Sequence, residues 1–407
     1  MKDNLKGKVG AKLNTPDDLK NKAAYLLRGK NIIRLLVLLA LLAGYAAALY
    51  IFNKPDEDEI ATSASKQTFV SARVEKVLSD DAKPDYVRAE GRRLGKQSLQ
   101  IKILSGEHKG EIMQLANYLS VLFNVDARAG DRIIVRLTVN QDGTCSTAMF
   151  NYDRATAIAA FVFVFVALLI MLGGIKGIKA LLGLAFTIIS LWFLLIPMVM
   201  KGYNSLLATC AIVALTTSAS FIILDGFTKK VMSAILGSMA GVAAAGLSAA
   251  LAGFITPLNG FNMTEAETLI LQATDNGMKI SGLFVCGIII SSLGAVMDVA
   301  MSIASSVHEL YSLNSKLSLK QLLVSGMNIG RDTMGTMATT IILAFMGSSL
   351  NMLILTKAYE IPLNQLFNSD FICIEIIQGV AGSIGIILTV PFVALISASL
   401  MCRRKNA

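Results

Sequence analysis

The sequence predicts an α-helical integral membrane protein of about eight transmembrane helices, with a small extracytoplasmic all-β domain, barrel or OB-like, between the first two. Three observations carry this expectation. The chain of 407 residues is 54% hydrophobic and 16% charged, with a mean hydropathy of +0.61, more apolar surface than a soluble core needs. From residue 156 onward, apolar runs recur that are each long enough to cross about 30 Å of hydrocarbon at 1.5 Å per residue. Only residues 53–153 form a polar stretch longer than a loop.

Residues 1–34 make a basic segment, with nine Lys or Arg against three Asp, and the apolar run 35–52 follows. That run is long enough for a transmembrane anchor. The small residues of GYAAALY would also fit a cleaved signal peptide, but the long basic lead and overlong apolar run favour a retained anchor with the N-terminus inside.

In residues 53–153, TFVSARVEKVL, SLQIKILS, EIMQL and DRIIVRLTV alternate or cluster β-formers between the turn-like DDAKPD, GEHKGE and ARAGD. A small barrel or sandwich of short strands is expected. No nucleophile, metal set or phosphate cradle is visible there, and Arg92 and Arg93 read as a solvated basic face.

Residues 154–402 are read as a seven-helix membrane domain, followed by a cytoplasmic tail, 403–407. The second and third spans, 156–174 and 180–200, are joined by GIKGIKA, and the fourth, 205–224, ends at DGFTKK. The fifth, 231–256, reaches Pro257 and an outer loop rich in acids and polar residues. The sixth starts at residue 283, the seventh covers 332–355, and the eighth, 376–401, ends in CRRK. Every short Lys/Arg cluster of the membrane domain then falls on one side, which places both termini inside a bacterial cytoplasmic membrane. The net charge of +9 is explained by this topology without a nucleic-acid partner.

Five scattered cysteines form no disulfide framework or CxxC site, and two histidines exclude a histidine-rich metal centre. His308-Glu309 begins like HExxH, but Ser312 stands where the second histidine belongs. No metal or cofactor is expected.

The candidate site starts from Asp298, which follows an almost wholly apolar stretch, 283–297. A bare carboxylate at a helix centre costs about 2.5–3.5 kcal/mol. At 100° per residue, Ser302, Ser305 and Glu309 fall within about 40° of it, while Val296, Ala300, Ile303 and Val307 form the opposite face. The competing reading solvates Asp298 in the headgroup region near the inner end. The seventh span opens with Arg331 and Asp332 and carries Thr336, Thr339 and Thr340, so a polar seam shared with the sixth is expected, with Arg331 close to Glu309 or Asp298. The threonines could instead satisfy themselves on backbone carbonyls.

Three further features are structural or ambiguous. Gly237, Gly241, Ala245, Ala249 and Gly253 form a four-residue ridge for close helix packing or for sliding. Glu375 and Gln378 share a face at the outer start of the eighth span, either interfacial or turned inward. KLSLKQLLVSGM, 316–327, fits an amphipathic helix lying in the inner interface.

The phrases GAVMDVAMSIASSVHEL, GRDTMGTMATTIILAFMGS and SGEHKGEIMQLANYL resemble the YibE/F family of bacterial membrane proteins, over most of the chain from about residue 60. The resemblance implies a multi-spanning, permease-like protein and names no substrate. The sixth and seventh spans also resemble, more distantly, the proton-relay hairpin of the resistance-nodulation-division superfamily and the SecD/SecF proteins. Asp298 would match their protonatable carboxylate, and Arg331 with Thr336 the start of the next helix. The larger helix number and the far smaller outer domain depart from that pattern.

The expected function is a secondary transporter or permease, not an enzyme, proton-coupled through Asp298 with Ser302, Ser305 and Glu309 assisting. Its partners would be the lipid bilayer, a small-molecule or ion substrate and an extracytoplasmic protein. The alternative is a membrane-anchored accessory or assembly factor acting through its β domain. An intramembrane hydrolase is disfavoured because no nucleophile has an adjacent base.

Overall fold

The computed structural model describes residues 43–54, 67–139, 145–263 and 266–402. The basic segment 1–34, the first part of the anchor and the tail 403–407 lie outside the described residues. The chain forms two compact units, Pro55–Ile178 and Met1–Lys54 with Lys179–Ala407.

The first unit is built on six antiparallel strands: β1 (Gln67–Asp80), β2 (Lys83–Asp85), β3 (Arg92–Ile103), β4 (Ile112–Leu119), β5 (Arg132–Val139) and β6 (Cys145–Tyr152). Their order is β2-β3-β1-β5-β6, with β4 also paired to β3. Period-two patterning explains the core. Val70, Ala72 and Val74 of β1, Leu99, Ile101 and Ile103 of β3, and Ile133, Val135 and Leu137 of β5 are all buried in one cluster, each large side chain contributing about 1.5–3 kcal/mol. Register shifts at Val74/Lys76 and Val77/Ser79 add the local twist that curls a sheet. At Gly95 (φ +145°) a Cβ would come within 2.7 Å of the Ala82 backbone, so only glycine admits this approach.

The barrel expected from the strand pattern is a half-barrel. β4 and β6 do not pair, although Thr147 Oγ1 of β6 donates to Gln114 O of β4 at 3.0 Å. The loop after β4 joins the core, its Val125 and Ala127 buried there while Asn117 Nδ2 donates to Val125 O at 2.7 Å. Arg93, partly exposed, bridges Asp80 (2.6 Å) and Asp126 (2.9 Å) on that basic face. Arg92 is exposed.

The helical elements are α1 (Ala43–Phe52), α2 (Ala155–Ser190, continuing through a π turn, Leu191–Leu195, to Ile196–Met200), α3 (Ser205–Asp225), α4 (Lys229–Ile255), α5 (Ala266–Asn276), α6 (Leu283–Leu313), α7 (Leu319–Ser348), α8 (Leu350–Ala358), α9 (Leu363–Phe367) and α10 (Asp370–Cys402). Among the described residues, five helices are long and apolar enough to cross a membrane. A sixth appears if α7 and α8, bent by 60°, make one span.

The difference from the expected eight lies in two places. Most of the anchor lies outside the described residues, and the second and third spans form one 46-residue run, Ala155–Met200. That run is not straight: Gly174 adopts φ 54°, ψ −135°. A Cβ on Gly177 would strike Leu169 O, eight residues back and about 12 Å away in a straight helix, so the chain folds back sharply where GIKGIKA begins. The segment 316–327 is likewise not a separate interfacial helix. Ser318 and Gln321 form a reciprocal capping box, so Leu319, Leu322 and Leu323 belong to the first turns of α7, and Leu317 precedes its N-cap.

In the second unit, α10 is the central post, and small residues set its contacts. Gly237 and Gly241 of α4 face Val393 and Thr389 of α10, and a Cβ on Gly385 would lie 2.6 Å from Ala245 Cβ. Gly326 of α7 contacts both Val307 and Ala394, and Gly330 both Ile303 and Val390. These pairings make α6 and α10 parallel, with α4 and α7 antiparallel to them. All five ridge residues, Gly237, Gly241, Ala245, Ala249 and Gly253, are buried. Such close backbone approach gains van der Waals contact along these faces.

Candidate functional site

α6 is helical because a long run of apolar and small residues, free of Pro, offers nothing better than its own ladder. Of its 31 residues Asp298 is at the midpoint. Gly287, Ser291, Gly294, Asp298, Ser302, Ser305 and Glu309 recur at three- and four-residue spacing and form one narrow stripe. Asp298, Ser302 and Glu309 are exposed and Ser305 is half-buried. Nothing lies within 4 Å of where a Cβ would stand on Gly287 or Gly294. The opposite face, with Val296, Ala300, Ile303 and Val307, is fully buried against the bundle.

α7 carries the second group of polar residues, Arg331, Asp332, Thr336 and Thr340, all exposed. Because Gly330 meets Ile303 and Gly326 meets Val307, Arg331 lies level with Ser302, and Gly335 with Asp298. The two patches therefore share one depth but not one seam. At 100° per residue, Asp298 lies about 140–180° around α6 from the side chains that touch α7. The expected ion pair does not form. Arg331 Nη1 instead donates to Asn328 Oδ1 at 3.4 Å on its own helix. Neither Asp298 nor Glu309 has a salt-bridge partner among the described residues.

The threonines are satisfied locally. Thr336 Oγ1 donates to Thr333 O, Thr339 Oγ1 to Gly335 O and Thr340 Oγ1 to Thr336 O, each at 2.8 Å. With its proton committed to the backbone, each hydroxyl keeps only acceptor lone pairs for the surface. The exposed stripe can thus accept protons or hydrogen bonds, and Arg331 is the strong donor at that depth.

Two features escaped sequence reasoning. A cleft of about 480 Å³ is lined by Val199, Thr209, Met263, Met278, Cys286 and Ile290, among others. Its walls come from well-separated segments, and no local pattern could announce it. In the β half-barrel, a polar network links Gln97 Nε2 to Asp80 and Asp126 (both 3.1 Å), with Asn117 Nδ2 donating to Gln97 Oε1 at 3.0 Å. The Arg93 guanidinium bonded to Asp80 holds that carboxyl below its ordinary range, while burial pushes the Tyr152 phenol up. The same domain exposes Tyr118, Leu122, Phe123 and Phe150, and Phe150 meets Phe69 edge-on at 4.8 Å. Among the described residues, no group of three or more His, Cys, Asp or Glu could hold a metal.

No curated protein and no solved structure matches the chain. A family model described as YibE/F-like protein matches residues 161–403, taking in most of α2 and every later helix, with the Asp298 stripe, but not the β half-barrel. On that match, spanning more than half of its length, the chain belongs to the YibE/F-like protein family.

Proposed function

We propose that the chain is a multi-pass permease of the bacterial cytoplasmic membrane, a secondary transporter whose Asp298 binds and releases the coupling proton. One observation carries this reading. Asp298 is at the midpoint of an apolar 31-residue helix, exposed, without an ion-pair partner among the described residues, on a stripe of Gly and Ser. A carboxylate at that depth is costly unless neutral or in contact with water or protein. A small-residue stripe leaves room for water beside it. Protonation would change how that face packs, and two packings of one bundle suffice for alternating access.

The test is uptake into proteoliposomes of the purified chain under an imposed pH gradient, followed as proton flux with a pH-sensitive dye. Asp298→Asn should abolish proton flux while leaving membrane insertion and melting temperature unchanged. Undiminished flux in that variant would sink the assignment.

A second reading, an accessory factor acting through its β half-barrel, is favoured by the exposed Tyr118, Leu122, Phe123 and Phe150, a patch suited to an apolar protein partner. Deleting residues 67–152 separates the two: a transporter retains proton flux, and an accessory factor loses its phenotype entirely.

A further inference from the structure

α7 ends at Ser348 and α8 starts at Leu350, with a 60° bend between them. Ser349, at the break, is 5% exposed, and its Oγ has no hydrogen-bond partner among the described residues. In the second turn of α10, Glu375 Oε2 is likewise buried and unpartnered. The helix pairing sets these two residues at one depth. Gly379 of α10 lies against Ile342 and Phe345 of α7, and Ser383 Oγ is 3.5 Å from Ala338 O. One turn further along the same two antiparallel faces come Glu375 and Ser349. The sequence left Glu375 either interfacial or inward. The fold buries one of its oxygens.

A helix C-terminus carries about half a negative charge. At it here stands a hydroxyl, and at the same depth a carboxylate oxygen, that the described residues leave unsatisfied. Broken membrane helices use such carbonyl ends to coordinate small cations. We infer that this break is a binding site for one alkali cation, Na⁺, ligated by Glu375 Oε2, Ser349 Oγ and carbonyl oxygens of the last turn of α7. A single carboxylate balances a single positive charge, whereas Ca²⁺ sites gather several acidic ligands.

The site is distinct from the proton-binding one. Ser292 of α6 is level with Gly382 of parallel α10, so Asp298 is level with residue 388 of α10, about 20 Å along the axis from Glu375. Na⁺ binding at Glu375 therefore stands whether or not Asp298 carries protons.

The test is thermal melting of the full-length chain in detergent with NaCl, choline chloride or CaCl₂ at matched ionic strength, together with equilibrium binding of radioactive Na⁺. At Na⁺ tenfold above its dissociation constant, the melting temperature should rise by about 3–6 °C over choline, with one Na⁺ bound per chain. Glu375→Gln should abolish both effects, and Ser349→Ala should weaken Na⁺ binding about three- to tenfold. Asp298→Asn should leave both unchanged, so a failed proton-flux assay and a failed Na⁺ assay report on different sites. Identical melting in NaCl and choline chloride, a Na⁺ shift surviving in both Glu375→Gln and Ser349→Ala, or stabilisation by Ca²⁺ alone would each overturn the inference.

Discussion

The side-chain amide of Asn53 donates to the carbonyl of Phe193 at 2.7 Å. In a regular helix the N–H four residues on would satisfy that oxygen, but the residue there is Pro197, which has none. The π turn Leu191–Leu195 lies immediately before the ring, as expected where a proline disrupts the ladder. A polar residue at the end of α1 thus completes the backbone of α2.

Replacing Asn53 should therefore act through α2. Asn53→Ala is expected to lower stability by about 1 kcal/mol, the usual scale of an interhelical hydrogen bond in a membrane. Hydrogen exchange should quicken around Leu191–Met200 and stay unchanged in α6. A uniform change across the chain would contradict the assignment.

Glycines on two helices should respond oppositely to the same chemistry. Gly241→Val would drive a side chain into Thr389 of α10 and cost about 1–3 kcal/mol or more, as overpacking does. Gly294→Ala, with nothing near its Cβ, should be neutral or gain up to about 1 kcal/mol of helix propensity. Melting of the two purified variants in one detergent checks this.

The Asp298 stripe makes a pattern prediction for thiol labelling. In a background without native cysteines, cysteines at 298, 302 and 309 should react with a membrane-impermeant thiol reagent. Those at 303 and 307, buried in the bundle, should not. Labelling restricted to 309 would mean that the stripe meets lipid rather than water.

The β half-barrel should lose stability in acid through Asp80. Its folded carboxyl is held below the ordinary carboxylate range, chiefly because Arg93 bonds to it. A depressed carboxylate contributes stability that is complete above its unfolded pKa and is lost as pH falls through the folded one. Protection of β1 and β3 amides should thus fall below about pH 4, and Arg93→Ala should flatten that dependence.

Much of the membrane domain could be read one helix at a time. Long apolar runs marked α3, α4 and α6 to within a few residues and α10 to within six at its start, because a long apolar helix satisfies its backbone within itself. Reading failed where a boundary depended on a neighbour. The leucines at 319, 322 and 323 looked interfacial until Leu322 was placed in the core at 0% exposure. In the half-barrel, Val125 and Ala127, which lie in a loop, belong to the core.

The sequence alone determined that Asp298 is a costly carboxylate in an apolar helix, with Ser302, Ser305 and Glu309 on its face, since a helix's angular spacing is a local property. Only the tertiary structure decided which way that face points. Arg331 is level with Ser302 yet bonds to Asn328, because the small residues Gly326 and Gly330 turn the other side of α7 toward α6 and α10. Whether Glu375 turned inward was likewise unreadable, for it depended on where α7 broke. Helix pairing is a contest among faces for close packing, and one helix's sequence holds only half of each contact.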